Sequence, residues 1–327
     1  MHEYSRDEAV LQMNKWGGAG LAFVFVTDYE GGRFMLSPVE AVNPAEWLYS
    51  FRGRGNHSGS TKIGRKVEWS PLFPSFEAYE RSFMKVRNAI MAGDSYLCNL
   101  TCRVPLQTDL SMKEIFLSSA APYRLWMKDR LVCFSPETFV RISGDGEISS
   151  FPMKGTIDAS LPAARERLMA DPKEAAEHAT IVDLIRNDLS IVATHVRVAR
   201  YRYVDVLQTN RGRLLQTSSK ITGQLPEGWR ARLGDILFSQ LPAGSITGAP
   251  KRRTVEIIAD AETYDRGFYT GVMGLFDGVS LDSAVMIRFI DKEEGRLFFK
   301  AGGGITSRSS CRSEYEEMKA KVYVQLC

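Results

Sequence analysis

The chain has 327 residues, of which 44% are hydrophobic, 25% charged and 10% aromatic. This composition excludes a disordered polypeptide, a collagen-like fibre and a coiled-coil rod, and the length is enough for one large domain or two average ones. The 42 lysines and arginines nearly balance the 39 aspartates and glutamates, which leaves a formal net charge of +3. Such a balance argues against nucleic acid or a membrane as the main partner and favours a small molecule.

The cysteines and the N-terminus predict a cytoplasmic protein. The cysteines are Cys98, Cys102, Cys133, Cys311 and Cys327. Their number is odd and no two form a C-x-x-C pair, so neither a disulfide framework nor a zinc ribbon is expected. The first ten residues contain no apolar signal core, and the apolar stretch 18–27 is too short to span a bilayer, so it is predicted to be a buried strand.

The first third of the chain is predicted to contain strands, one loop and one helix. Residues 1–50 are expected to form strands, with turns at 30–32 and around Pro38. The stretch 51–66 is rich in glycine, serine and basic residues, and we expect a surface loop, although RNA-binding segments share this composition. Between Ser75 and Gly93, apolar residues at spacings of three and four predict a helix that Ser75 caps.

The remainder of the chain mixes strands and helices. Strands are predicted at 96–104, 131–134, 139–142, 271–276, 284–290 and 297–301. Helices are predicted to begin at Asp171, near Arg252 and at Ser313, and the last one is expected to reach the C-terminus. Because no steady alternation of strand and helix is present, the pattern indicates an α+β fold rather than a doubly wound sheet.

Two of these helices carry paired carboxylates. In the helix that begins at Asp171, Glu174 is expected to cap reciprocally with Asp171, and Glu177 shares a face with Glu174 ahead of an apolar stripe. A carboxylate in that position is costly unless it is paired or binds a metal. Such a carboxylate pair is therefore a candidate site.

The C-terminal helix repeats this spacing. Ser313 and Glu316 are expected to form a capping box, while Glu314 and Glu317 share a face. Taken alone, Glu317 with Lys321 one turn later is more typical of a solvated ion pair. If the two helices face each other, however, their carboxylates would suit Mg²⁺, which prefers oxygen ligands.

Several shorter segments are ambiguous by themselves. Lys154 stands between an apolar pair and a Gly-Thr. A lone lysine is usually a surface charge, but in an apolar cleft it could lose its proton and act as a nucleophile. Glu137, at the end of a strand, could be a general acid or part of a turn. The segment 243–251 fails the P-loop pattern, and the glycines at 302–304 could either approach an anion closely or form a plain strand-to-helix turn.

The order of these segments along the chain resembles that of the chorismate-utilising enzymes. The matching segments are SPE at 135–137, PMKGT at 152–156, KEAAEHATIVDLIRND at 173–188, AGSITGAPK at 243–251, RGFYTG at 266–271, IR at 287–288, AGGGI at 301–305 and EYEEMKAK at 314–321. The resemblance implies a single large α+β domain with paired β-sheets and helices packed outside. Residues 1–70 would be a short strand-rich part of this domain, and residues 71–327 its chorismate-binding catalytic region.

The resemblance also implies an activity. The segment P-x-K-G-T, which contains Lys154, is similar to the corresponding segment of the aminodeoxychorismate synthases. Those enzymes aminate chorismate at C4 for 4-aminobenzoate and folate synthesis. Leu97 stands where the water-adding members of the family carry a lysine, so hydroxylation is disfavoured. Anthranilate synthase component I, which aminates C2, remains an alternative. So does a non-catalytic chorismate-binding protein, because Leu97, Gln216 and Ile157 depart from the family pattern. An RNA-binding module built on 51–66 is a third alternative, which the near-neutral charge disfavours.

By this resemblance, specific residues take specific roles. Lys154 would be the nucleophile and Glu137 the general acid, while Glu177 and Glu317 would hold Mg²⁺ with Glu174 and Glu314 close by. The residues expected to hold the carboxylates or line the pocket are Thr156, Ser245, Thr247, Tyr269, Arg288, Gly302, Gly304 and Lys321. Ammonia would come from solution or from a separate glutamine amidotransferase subunit, since no nucleophile-elbow cysteine is present. The short N-terminal region shows no counterpart of the feedback tryptophan site, so no inhibition by tryptophan is expected.

Overall fold

The computed structural model describes residues 2–57, 59–209 and 212–324. Within these ranges the helices are α1 (Arg6–Gly18), α2 (Phe76–Met91), α3 (Met112–Ser118), α4 (Ala164–Ala170), α5 (Pro172–Ser190), α6 (Leu233–Phe238), α7 (Lys251–Ala261) and α8 (Cys311–Ala320). Short 3-10 helices lie at Val39–Ala41, Trp229–Arg232 and Gly244–Ile246.

The same ranges contain the strands β1 (Glu3–Tyr4), β2 (Phe23–Thr27), β3 (Phe34–Pro38), β4 (Trp47–Phe51), β5 (Arg54–Gly55), β6 (Trp69–Pro71), β7 (Leu97–Thr108), β8 (Tyr123–Met127), β9 (Leu131–Ser135), β10 (Thr138–Ile142), β11 (Glu147–Ser150), β12 (Met153–Asp158), β13 (Thr194–Thr209), β14 (Gly212–Gln224), β15 (Gly248–Ala249), β16 (Val272–Phe276), β17 (Leu281–Val285), β18 (Phe289–Glu293) and β19 (Arg296–Ile305). These strands form two sheets.

Both sheets are antiparallel. The first has the order β1-β3-β2-β16-β17-β10-β11-β14-β12, with β13 also paired to β14. The second has the order β15-β7-β19-β18-β9-β8-β4-β5, with β6 also paired to β7. The prediction of a single α+β domain with paired sheets and helices outside is confirmed. The N-terminal strands β1–β3 enter the first sheet and β4–β6 the second, so residues 2–70 contribute to both.

Large apolar side chains fill the space between the sheets. Trp47, Tyr49 and Phe51 of β4 pack with Met273 and Leu275 of β16, and all five are buried. Fully burying a side chain of this size stabilises the fold by about 1.5–3 kcal/mol. A larger apolar cluster covers the opposite faces of the sheets and contains residues from α1, α2, α3, α5, α6, α7 and α8.

Helix α2 follows its sequence signals closely. The Ser75 hydroxyl accepts a hydrogen bond from the Ala78 backbone N–H at 3.2 Å, which satisfies one of the free donors at the helix start. The apolar positions, among them Phe83 and Val86, are fully buried, and the helix lies against β7. The helices predicted at Asp171 and near Arg252 are confirmed as α5 and α7. The helices α3, α4 and α6 were not predicted.

The prediction of strands alone for residues 1–50 is wrong at its start, where α1 occupies Arg6–Gly18. The helix begins with a capping box, in which the Ser5 backbone N–H and hydroxyl donate to the Glu8 carboxylate. Its face carrying Ala9 and Met13 is buried against α6 and the neighbouring 3-10 turn. The strand predicted within 18–27 is confirmed as β2, all of which is buried.

Three boundaries in the second half also differ from prediction. The run 284–290 is two strands in different sheets, β17 and β18, joined by a corner at which Arg288 has φ +53°. Helix α8 begins at Cys311 after Ser310 and ends at Ala320, so Ser313 lies inside the helix and forms no capping box. The glycines at 302–304 are part of β19 rather than a turn.

In the described part of the chain, no helix combines the length and apolar character needed to cross a lipid bilayer. Cys98, Cys102, Cys133 and Cys311 are free thiols. Cys327 lies outside the described residues.

Candidate active site

Lys154 of β12 and Glu177 of α5 form an ion pair. Lys154 Nζ lies 2.9 Å from Glu177 Oε2, and their side chains are 29% and 11% exposed. Asp171 accepts hydrogen bonds from the backbone N–H groups of Lys173 and Glu174 and so fixes the start of α5. Burial lowers the pKa of Lys154, but the charges of Glu177 and of the nearby carboxylates outweigh it and leave that pKa above its ordinary value.

Gly155 brings Glu174 close to the strand that carries Lys154. The register of β12 against β14 shifts at this glycine, whose φ is +81°. A Cβ at Gly155 would lie 2.9 Å from Glu174 Oε2, so a side chain there would displace the carboxylate from its present position. Glu174 Oε2 is buried without a hydrogen-bond partner, and burial raises the pKa of this carboxyl. The predicted reciprocal cap is therefore wrong, because Asp171 caps α5 while Glu174 faces the site.

The second carboxylate pair stands beside the glycines of β19. Lys321 Nζ donates to the Gly302 carbonyl at 2.9 Å and pairs with Glu317 Oε1 at 2.8 Å. A Cβ at Gly303 would lie 3.3 Å from Lys321 Nζ, 3.7 Å from Glu314 Oε2 and 3.8 Å from Glu317 Oε1. The glycine therefore leaves a bare stretch of backbone in front of these charged groups.

The electrostatics of the two carboxylate pairs are linked. Burial raises the pKa of Glu314; burial also acts on Glu317, but the neighbouring Lys321 reverses the shift and leaves the pKa of Glu317 lowered. The positive charges of Lys154 and Lys173 act on members of both pairs. Like carboxylates that converge in this way need compensating positive charge, which the lysines supply.

The donor set suits a hard cation, because all four side chains offer carboxylate oxygens and Glu174 Oε2 has no protein partner. As the side chains stand, no three histidine, cysteine, aspartate or glutamate residues within the described ranges are grouped closely enough to hold an ion. Lys154 pairs with Glu177, and Lys321 pairs with Glu317. A cation would therefore have to displace lysine contacts at both pairs.

Glu137 follows β9 and lies in a narrow cleft. The Ser245 hydroxyl donates to Glu137 Oε1 at 2.6 Å, and Pro152 and Asp188 also line the cleft. Burial raises the pKa of Glu137, while the Ser245 hydrogen bond and the charges of Arg288 and Lys321 oppose this rise. A carboxyl group with a raised pKa can keep a proton to donate.

Two further predicted residues are Arg288, whose charge acts on Glu137, and Tyr269, which belongs to the apolar cluster between the sheets. Arg288 occupies the corner between β17 and β18, and its backbone carbonyl accepts a hydrogen bond from Phe134 N–H. The Arg288 guanidinium lies 5.3 Å from the centre of the Tyr323 ring. Tyr269 is buried, and burial raises the pKa of its hydroxyl.

Three other predicted residues, Thr156, Thr247 and Gly302, lie on different segments of the chain. Thr156 is exposed on β12 opposite Gln216, whereas Thr247 is fully buried and donates to the Ala243 carbonyl at 2.9 Å. A Cβ at Gly302 would lie 2.3 Å from the Leu100 carbonyl oxygen, so only glycine fits against β7 there.

Leu97 and Gly304 stand beside the predicted nucleophile. A Cβ at Gly304 would lie 3.0 Å from Leu97 Cδ1 and 4.0 Å from Lys154 Nζ. The structure thus brings Lys154, the glycines of β19, Lys321 and the two carboxylate pairs together. Glu137, Ser245 and Arg288 form a second group. Lys321 links the two groups, because its charge acts on the pKa of Glu137 and the charges of Arg288 and Lys154 act on the pKa of Lys321.

The family of the chain follows from comparison with known proteins. The family of chorismate binding enzymes matches residues 40–326. The chain belongs to this family. The resemblance inferred from the ordered segments is confirmed.

Relatives of this chorismate binding enzyme include PabA-like proteins of similar length and longer component 1 synthases. An uncharacterized PabA-like protein of Pasteurella multocida (strain Pm70) is 47% identical over 316 residues, which are 96% of this chain and 97% of the relative. The aminodeoxychorismate synthase component 1 of Escherichia coli (strain K12) is 34% identical over 263 residues, 75% of this chain and 56% of the relative. The anthranilate synthase component 1 of Archaeoglobus fulgidus is 33% identical over 259 residues, 76% of this chain and 61% of the relative. The chain thus spans little more than half the length of these two synthases.

The fold is shared more widely than the sequence. The structure of MenF, the menaquinone-specific isochorismate synthase from Escherichia coli, superposes with a TM-score of 0.73 over 98% of this chain and 82% of its own, at 16% identity.

Two further groups of this chorismate binding enzyme were not predicted. His178 is fully buried next to Glu177, with Nε2 2.7 Å from Ser219 Oγ, and burial lowers its pKa to about 4. Lys251 Nζ lies 3.0 Å from Asp188 Oδ1 and ties α7 to the end of α5. Both lie inside segments that carry the family resemblance, but their pairings join residues distant in sequence, which spacing cannot reveal.

The basic segment 51–66 is partly neutralised. Arg54 pairs with Asp277, and Arg65 pairs with Asp109. These contacts favour a structural role for the segment over an RNA-binding one.

Proposed function

We propose that this chorismate binding enzyme aminates chorismate at C4 and releases 4-amino-4-deoxychorismate, as an aminodeoxychorismate synthase. The observation that carries the proposal is the position of Lys154, whose amino group lies at a carboxylate-rich site beside the bare backbone of Gly304. A lysine at this place offers a nucleophile for a covalent route, which divides one difficult displacement into two easier steps.

In the proposed first step, Lys154 Nζ forms a bond to C2 of the ring. Both ring double bonds shift, and the C4 hydroxyl departs as water with a proton from Glu137. The raised pKa of Glu137, caused by burial, supports this role because the acid must hold its proton until the hydroxyl leaves. In the second step, ammonia bonds to C4, the ring double bonds return to their first positions and the bond between C2 and Lys154 breaks, which releases Lys154 as a neutral amine. The added nitrogen returns one proton to Glu137, so the sum is chorismate plus ammonia giving the amino product plus water.

The nucleophile must be a neutral amine, whereas the charge of Glu177 favours the ammonium form of Lys154. We propose that Mg²⁺ binds Glu177 and Glu317, with Glu174 and Glu314 close by. Bound there, Mg²⁺ would compensate the carboxylate charges that hold Lys154 protonated and would bind the ring carboxylate of chorismate. The unpartnered Glu174 Oε2 supports the proposal.

The remaining residues are proposed to hold and orient the substrate. Arg288 and Lys321 supply positive charge for the carboxylates of chorismate, and the backbone of Gly302 and Gly304 allows close approach. Ser245 orients Glu137 through its hydrogen bond. Thr156, Thr247 and Tyr269 are proposed to line the pocket.

The nitrogen source and the setting belong to the same proposal. Ammonia would come from solution or from a glutamine amidotransferase subunit, which we propose as a partner. The product would enter 4-aminobenzoate and folate synthesis in the cytoplasm. Neither nucleic acid nor a membrane is proposed as a partner.

The experiment that tests the proposal identifies the product. Purified protein is incubated with chorismate, ammonium and Mg²⁺, and the mixture is then treated with a lyase that releases 4-aminobenzoate from aminodeoxychorismate. We expect 4-aminobenzoate only after the lyase is added. Fluorescent anthranilate formed without the lyase would identify an anthranilate synthase instead. No conversion under any condition would favour a non-catalytic chorismate-binding protein.

A matched incubation without ammonium tests hydroxylation. Leu97 is buried and apolar, so it cannot take a proton from water. We expect no isochorismate in this incubation, and its appearance would contradict the proposed preference for ammonia.

A further inference from the structure

Arg266, the first residue of RGFYTG, is buried at the centre of a hydrogen-bond network. Its guanidinium pairs with Glu262, with 2.7 Å between Nη2 and Oε1 and 2.8 Å between Nε and Oε2, and both side chains are 2% exposed. A bidentate pair of this kind fixes the plane of the guanidinium. The direction of its remaining N–H groups is then fixed as well.

Those remaining donors reach three other segments of the chain. Nη1 donates to the Ile246 carbonyl at 3.0 Å and lies 3.4 Å from Thr270 Oγ1, and Nη2 donates to the Asn99 carbonyl at 2.7 Å. The guanidinium has five N–H donors, and these contacts use all of them. Arg266 therefore links β7, the 3-10 turn at Gly244–Ile246 and the segment that follows Tyr269.

The 3-10 turn is the element that carries Ser245. On one side of Ser245, Gly244 lies so close to Asp188 that a Cβ would be 2.7 Å from Asp188 Oδ2. On the other side, Ile246 is held by Arg266. Ser245 thus sits between a glycine that packs closely against Asp188 and a carbonyl that is held by Arg266, and its hydroxyl donates to Glu137.

We infer that Arg266 is a positioning residue, which holds the turn at Gly244–Ile246 so that Ser245 keeps its hydrogen bond to Glu137. This inference rests on the proposed function only where it calls Glu137 the acid of the reaction. The geometric relation between Arg266, Ser245 and Glu137 stands without it.

Lysine cannot replace this arginine. An ammonium would keep the charge next to Glu262, but its three donors lie on one nitrogen. The Arg266 contacts use five donors on three nitrogens, so a lysine cannot reproduce the contacts to Glu262, Asn99 and Ile246 together. Arg266→Lys should therefore release the carbonyl of Ile246 with little change in net charge. Arg124 of β8 offers a matched control, because it is also buried and donates to the Ser119 carbonyl at 2.8 Å, far from the turn.

The test measures the titration of Glu137 by NMR of ¹³C-labelled glutamate carboxyl groups, with Glu137→Gln to assign the signal. The groups that face Glu137 are Ser245 from the turn, Arg288 from the corner between β17 and β18, and Lys321 after α8. Asp188 of α5 lines the same cleft and is paired with Lys251. Ser245→Ala removes the hydrogen bond that stabilises the charged form of Glu137. We expect Ser245→Ala to raise the midpoint of its titration.

Arg266→Lys should also raise the titration midpoint of Glu137. The double variant of Arg266→Lys and Ser245→Ala should raise it no further than Ser245→Ala alone. Arg124→Lys should leave it unchanged even if the melting temperature falls. In the amination assay, Arg266→Lys should lower kcat more than it changes KM, and it should move the alkaline limb of the pH profile upward with Ser245→Ala.

An unchanged Glu137 midpoint in Arg266→Lys, together with a lowered melting temperature, would overturn the inference and leave Arg266 a purely structural residue. If Arg266→Lys does not fold, Glu262→Gln weakens the Arg266–Glu262 pair with little change in side-chain shape. The Glu137 midpoint of that variant is then compared with those of the wild type and Ser245→Ala. If the wild type makes no aminated product, the proposed function fails, but the titration still decides whether Arg266 positions Ser245.

Discussion

Lys154 Nζ and Glu177 Oε2 lie 2.9 Å apart, so the proposed nucleophile and a proposed metal ligand share one ion pair. Whatever binds Glu177 must therefore change the environment of Lys154. A charge change at the carboxylates thereby controls how readily the amine can lose its proton. This coupling makes the lysine the first residue to test.

Lys154→Ala should reduce amination of chorismate to the limit of detection, because no other amine stands beside Gly304 among the described contacts. The measurement is product formation with ammonium and Mg²⁺, followed by high-performance liquid chromatography. Lys173→Ala is the matched control, since Lys173 Nζ also approaches Glu177, at 3.7 Å from Oε1, but is not the proposed nucleophile. Equal losses in the two variants would argue against a covalent role for Lys154.

Glu137→Gln should lower kcat by about 10²–10⁴-fold, the usual contribution of a positioned general acid. Burial raises the pKa of Glu137, so its protonated form persists to higher pH than that of an ordinary glutamate. The rate should therefore fall as the pH rises through that pKa, and this alkaline limb should disappear in Glu137→Gln. A variant that retains the limb would show that another group donates the proton.

Mg²⁺ should raise the melting temperature of the wild type in the absence of substrate, because a ligand that binds only the folded state stabilises it, by about 2.7 kcal/mol at 100 times its Kd. Glu314→Gln should weaken this effect. Glu316→Gln is the control on the same helix, since the Glu316 side chain is exposed and pairs with Lys319. Equal Mg²⁺ effects in both variants would place the ion elsewhere.

Tryptophan should not inhibit the enzyme. The space between the two sheets is occupied by the side chains of β4 and β16, with Trp47, Tyr49 and Phe51 buried there. A second indole would have to displace packed aromatic groups, which is costly in a close-packed interior. The measurement is the amination rate across micromolar to millimolar tryptophan, and a concentration-dependent fall would contradict the prediction.

Elements with strong local signals could be predicted from the sequence. Helix α2 has a serine cap and an apolar stripe, and both are visible in the residues between Ser75 and Gly93. The helix α1 also had a signal, the spacing of Ser5 and Glu8, but its apolar stripe is weak because it ends in two glycines and contains several polar residues. For α1, the capping pair therefore predicts the helix better than the apolar pattern does.

Other features depend on contacts across the fold. The run 284–290 is uniformly apolar up to Arg288, and no local pattern shows that the chain leaves one sheet there and enters the other. The family resemblance named Lys154 and Glu177 separately, but their pairing joins residues 23 positions apart and requires the position of α5 on the sheet. The position of Glu174 Oε2 likewise depends on a distant residue, because it lies where a side chain at Gly155 would stand.

The corner at Arg288 has a consequence for motion. One arginine stands where the backbone passes from β17 in the first sheet to β18 in the second, and its positive φ marks a tight bend. An anion held by this side chain would restrain the bend and, with it, the ends of both strands. Amide hydrogens near the corner in both sheets should then exchange with solvent more slowly when substrate is bound.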